Sequence, residues 1–103
     1  MTQQAELYLT IGNSLESAEQ SQMFGKPCFK LGNKAFVCFF QECMVFKLPI
    51  ESNASALSLE RAQLFDPSGK NRPMKEWVQV PFDYANKWEQ YARLAYDYVK
   101  RNN

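Results

Sequence analysis

Residues 23–48 read MFGKPCFKLGNKAFVCFFQECMVFKL. Aromatic and β-branched residues crowd between two short breaks and leave no helical stripe, so the run predicts a three-stranded meander. Gly32-Asn33, between PCFKL and KAFVCFF, supplies the positive φ that a tight hairpin turn needs. With a two-residue turn, Leu31 faces Lys34, Phe29 faces Phe36 and Cys28 faces Val37. A second turn at Gln41-Glu42 is the weaker signal, because neither residue favours a primed turn.

Strict alternation then sends Phe29, Leu31, Phe36, Cys38, Phe40, Cys43 and Val45 to one face, and Val37, Phe39, Met44, Phe46 and Leu48 to the other. Both faces are apolar, so each needs a cover. Three covers fit: the chain's own helices, a twisted sheet folding over itself, or a second copy of the protein.

Outside the meander, Gln3 to Glu19 suits a helix that Gly12-Asn13 could end early, with Ser17 to Gln22 extended and leading into the first strand. Pro49 ends the third strand. Ser52-Asn53 offers an N-cap for a short helix over Ala54 to Gln63, with Leu57, Leu59 and Leu64 available to the core. From Phe65 to Pro73 the residues mark an exposed loop, though Leu64-Phe65 can add one bridge to the sheet. MKEWVQV, Met74 to Val80, reads as a half-buried strand closed by Pro81. Asp83 is placed to cap a helix running to about Lys100, whose stripe Tyr84, Trp88, Tyr91, Ala95 and Tyr98 is a packing face.

These elements add up to one α+β domain over residues 1–103, an antiparallel sheet (a meander plus one or two later strands) packed by N-terminal and C-terminal helices. A hydrophobic content of 46% with 22% charged residues is that of an ordinary globular chain. No basic segment precedes an apolar run at the N-terminus, and the longest stretch without a polar residue is Ala35 to Phe40, so the reading is cytoplasmic with no membrane partner. Three cysteines without a CxxC pair point the same way, to a reducing compartment.

The chemistry is defined by what is missing. There is no histidine, which removes the commonest general base and the usual metal ligand. Neither a phosphate-binding loop nor a dinucleotide fingerprint is present, and the acidic residues are scattered. No catalytic residue, metal site or cofactor is expected, and the chain is read as non-enzymatic. Cys28 and Cys38, on apolar strands, read as small buried hydrophobes before they read as thiol sensors.

Net charge is +1, yet residues 1 to 60 hold four basic and six acidic residues whereas residues 61 to 103 hold eight basic and five acidic. The second half is therefore mildly basic, and Lys70, Arg72 and Lys75 beside Trp77 form the candidate binding surface. Such a patch suits an acidic protein partner or phosphates, with Lys100-Arg101 as a second basic contribution.

Met23-Phe24-Gly25, then Phe29 to Phe36 (FKLGNKAF), then Phe46-Lys47-Leu48, then Arg72-Pro73-Met74 with Trp77 to Pro81 (WVQVP), resemble the TfoX N-terminal domain family, in order and spacing, over about residues 16 to 100. The resemblance implies an antiparallel sheet with an N-terminal and a C-terminal helix. It also implies a bacterial regulatory role without catalysis, natural competence being the role of characterised members, and a relation to YjbR-like domains that have been considered DNA-binding. Lys26-Pro27-Cys28 departs from the glycine and small or aromatic residues that usually follow Met-Phe-Gly. The functional expectation is a small regulatory domain that binds another protein, itself included as a homodimer. Nucleic-acid binding through residues 70–75 is the alternative, and a small-molecule or thiol sensor a further one.

Overall fold

In the computed structural model, which describes residues 1–102, the Gly32-Asn33 turn forms as its sequence dictates. It joins β2 (Lys26–Leu31) to β3 (Lys34–Phe40) with Leu31 opposite Lys34, and Gly32 takes the positive φ of 65°. Beyond it the register departs from strict alternation. Lys30 pairs with Ala35, but Phe29 pairs with Val37 and Cys28 with Cys38, so Phe36 is an extra residue, a β-bulge.

The bulge corrects the expected faces. Phe36 and Val37, neighbours in sequence, both enter the core under the helices, together with Phe29, Leu31, Met44 and Phe46. Cys28, Cys38 and Val45 are left on the opposite side with partly buried Phe40. Phe36 is held by an edge-to-face contact with Tyr96, ring centroids 5.6 Å apart.

The meander has four strands, not three. β1 (Glu19–Met23) pairs with β2 through a turn at Phe24-Gly25, and β4 (Cys43–Lys47) follows β3 through a two-residue turn at Gln41-Glu42. Beyond β4 lie β6 (Met74–Val80) and then β5 (Gln63–Phe65), giving a six-stranded, wholly antiparallel sheet of order β1-β2-β3-β4-β6-β5.

Three helices complete the chain. Thr2 caps α1 (Gln3–Asn13) by accepting a hydrogen bond from the Ala5 amide at 3.1 Å. The helix stops at Asn13, and Ser17, at a φ of 68°, turns the chain toward β1. α2 (Ile50–Leu57) starts directly after Pro49, earlier than expected, because Asn53 donates its side-chain amide to the Lys75 carbonyl at 3.0 Å instead of capping. α3 (Ala85–Arg101) follows a 3-10 turn at Phe82–Tyr84, and Asp83 pairs with Arg61 instead of capping the helix. Its buried stripe is Trp88, Tyr91, Ala92, Ala95 and Val99, so Val99 takes the place expected of Tyr98. Trp88 donates its indole N–H to the Val80 carbonyl at 3.2 Å, satisfying the one polar atom of a fully buried ring.

Both apolar faces are covered from within the chain. α1 and α3 pack on one. The other is closed by the sheet itself: Phe40 of β3 and Phe65 of β5 have ring centroids 5.3 Å apart, although three strand spacings, about 14 Å in a flat sheet, separate their strands. The sheet therefore curls, and Cys28, Cys38, Val45, Phe65 and Trp77 form a second small core inside the curl. The radius of gyration, 12.3 Å, matches the about 13 Å of one packed unit of 100 residues.

Candidate functional site

The basic loop, Asp66 to Pro73, is organised by a single carboxylate. Asp66 Oδ1 accepts from the Ser68 amide at 3.1 Å, the Ser68 hydroxyl at 2.6 Å and the Gly69 amide at 3.2 Å, and Oδ2 accepts from the Arg72 amide at 3.0 Å. The Lys70 amide donates to Ser68 Oγ at 3.0 Å. The Ser68 hydroxyl, above all, and the loop amides hold the Asp66 carboxyl below the usual carboxylate range. This is the geometry of a small anion nest whose anion is the chain's own side chain. The amides of Ser68, Gly69, Lys70 and Arg72 are thus already used, and the charge offered to a phosphate arriving at the loop is that of the Lys70 and Arg72 side chains.

Lys70 and Arg72 are both exposed on this loop. Lys75, also exposed, stands at the start of β6 and borders a shallow groove of about 290 Å³ with Leu48, Ile50, Leu57 and Tyr98. The two ion pairs among the described residues, Arg61–Asp83 and Arg93–Glu89, leave all three cations without a carboxylate partner. Trp77 is placed differently from the sequence expectation of a residue on the binding surface. It is 6% exposed inside the curl, its ring centroid 6.4 Å from that of Phe65. Lys100 and Arg101 sit on the last turn of α3, where their charge complements the carbonyl end of the helix.

Inside the curl, the strand registers align one row of side chains across all six strands: Ser21, Cys28, Cys38, Val45, Gln79 and Gln63. Cys28 and Cys38 are directly opposed and buried, and burial pushes both thiols up from their ordinary value. Cys43 is half-buried and also raised by burial, with an opposing contribution from a hydrogen bond with Gln79. Burial thus disfavours the thiolate form at each of them, most deeply at Cys28 and Cys38. Gln79, 5% exposed, lines a groove of about 410 Å³ at the mouth of the curl, beside Phe40 and the ammonium of Lys26, which lies 5.4 Å from the Phe40 ring centroid. Among the described residues no group of three or more Cys, Asp or Glu is placed to hold a metal ion, and no helix is long and apolar enough to cross a membrane.

The feature that sequence reasoning passed over is the outer edge of β1. Its residues Glu19, Gln20, Ser21 and Gln22 are exposed and Met23 half-exposed, and β1 pairs only with β2. Its other side presents unpaired peptide groups. Edge strands are commonly protected by lysine, proline, a bulge or shortness. Here there is no lysine or proline, no bulge against β2, and five residues of length, whereas the opposite edge, β5, has three residues and a broken register. Phe24, 61% exposed at a φ of 54°, stands in the adjoining turn. The signal was present in EQSQM as a polar run with a single charge, Glu19, followed by a Phe-Gly turn, but apolar–polar alternation is absent from it, so it did not read as a strand.

No family model matches this chain, and neither a curated protein nor a solved structure matches it. The resemblance to TfoX N-terminal domains therefore rests on its short motifs.

Proposed function

We propose that the chain is a non-enzymatic binding domain of regulatory type, TfoX N-terminal-like, acting in the bacterial cytoplasm by engaging another protein through the open edge of β1. The observation that carries this reading is the unprotected five-residue edge, which offers main-chain hydrogen bonds to an added strand. Side chains at alternate positions then set specificity. The buried thiols and the absence of histidine support the non-enzymatic part.

The nucleic-acid alternative keeps Lys70, Arg72 and Lys75 as phosphate contacts. It loses two supports: Trp77 is buried and offers no stacking face, and the amides of Ser68, Gly69 and Arg72 are held by Asp66.

A photo-crosslinking residue at position 21 and, separately, at position 70 separates the two. A protein adduct specific to position 21 is expected. Absence of any protein adduct there, together with labelled duplex DNA bound at low salt and released at physiological salt, would replace the proposal by the nucleic-acid reading.

A further inference from the structure

The two apolar faces of the sheet, the natural dimer surfaces in the sequence, are occupied by α1, α3 and the curl. What remains open is the edge of β1, and its composition fits one occupant closely. We infer that β1 pairs antiparallel with β1 of a second copy, about a two-fold axis through Ser21, joining two six-stranded sheets into one. This rests on the strand-addition reading above and names its partner.

The register follows from symmetry. A two-fold axis perpendicular to a sheet keeps each face on its own side, so a residue can only lie opposite one of the same face. Among such registers, the one centred on Ser21 pairs the whole strand: Glu19 with Met23, Gln20 with Gln22, and Ser21 with itself. The faces agree with the monomer. Ser21 belongs to the row inside the curl through its pairing with Cys28, while Gln20 lies on the helix side and donates to Asn13 Oδ1 of α1 at 3.3 Å.

Glu19 is the one charged residue of β1 and falls opposite Met23 of the other copy, so no like charges oppose each other. Within its own sheet Glu19 already pairs with Lys30, and Met23 with Lys26, so each Glu19 lies in a cross-strand row between Lys30 of its own copy and Lys26 of the other. Continuing the register by one residue brings exposed Phe24 beside half-buried Ala18 at each end, an apolar contact that closes the pair.

Ser21 is exposed, so its replacement tests the seam and leaves the core untouched. The experiment is sedimentation of the whole chain over a range of concentrations. Wild type is expected to pass from one chain to two as concentration rises. Ser21→Lys places two ammonium groups on the axis and weakens self-association about fivefold or more, and Ser21→Glu does the same with two carboxylates. An equimolar mixture of the two variants restores a dimer, because each lysine then meets a glutamate. Unchanged circular dichroism verifies that both variants fold.

A wild type of one-chain mass at every concentration overturns the inference. So does a Ser21→Lys variant that associates like wild type, or a mixture that stays monomeric. A monomeric wild type that still crosslinks from position 21 to a different protein rejects self-pairing alone and leaves the strand-addition reading in place. Absence of any protein adduct from position 21 removes both.

Discussion

Gly12 of α1 lies directly against the ring of Phe29 on β2: a Cβ at Gly12 would fall inside the van der Waals surface of that ring. Both residues are buried, so the absence of a side chain at position 12 sets how closely α1 sits on the sheet. In an exposed helix Gly→Ala would stabilise by about 1 kcal/mol. Here Gly12→Ala is expected to destabilise by about 1–3 kcal/mol, the cost of overpacking. Urea unfolding measures it. In the double variant with Phe29→Leu the penalty of the alanine shrinks, and additive penalties would show that the contact is not the cause.

The turn between β3 and β4 carries strain that its sequence did not need. Gln41 and Glu42 both adopt positive φ, 52° and 61°, where asparagine and glycine are at ease. Gln41→Asn with Glu42→Gly is expected to raise stability by about 1 kcal/mol or more, since left-handed backbone costs ordinary residues about 1–2 kcal/mol each. Thermal or urea unfolding reads the gain, and a loss of stability would mean that the side chains of Gln41 or Glu42 hold the turn.

Asp66 makes the basic loop sensitive to acid. Its carboxyl is held down by the Ser68 hydroxyl first and by the amides of Arg72, Ser68 and Gly69. A carboxyl lowered on folding contributes order that is present above the ordinary carboxylate range and lost as pH falls through the lowered folded value. The amide resonances of Ser68, Gly69 and Arg72 should therefore shift together in an NMR titration, at a pH below that of an unperturbed aspartate. Asp66→Asn should abolish that step, and a step surviving in the variant would assign it to another group.

Cys28 and Cys38 should resist alkylation in the folded state while Cys43 reacts first. The first two are buried inside the curl and their thiols are raised by burial, whereas Cys43 is half-exposed. Mass spectrometry after a timed iodoacetamide pulse gives the order. Equal rates at all three sites would mean that the curl opens readily, and in mild urea the rates should converge as it unfolds.

Several elements were legible because their signals are local. Met74–Val80 stands between prolines and is found as a strand with the expected bounds, and the Gly32-Asn33 hairpin forms with Leu31 opposite Lys34. The candidate surface was legible only in part. Lys70, Arg72 and Lys75 are exposed, but Trp77, four residues from the end of the proline-rich loop, is buried, because residues of a strand inside a curl are covered on both faces. Caps were misread at Asn53 and Asp83 for one reason: each side chain found a tertiary partner, Lys75 and Arg61, that local spacing does not reveal.

By itself the sequence determined the fold class, the order of the helices and of strands β2, β3, β4 and β6 along the chain, and the absence of histidine, because alternation, turn residues and composition act over a few neighbouring residues. Only the tertiary structure decided which side chains share a face, what covers the second apolar face, and that β1 ends the sheet with an open edge. The physical reason is that one inserted residue, Phe36, reverses the faces of everything before it in the hairpin. Against that insertion packs Tyr96, brought to it from α3 at the other end of the chain.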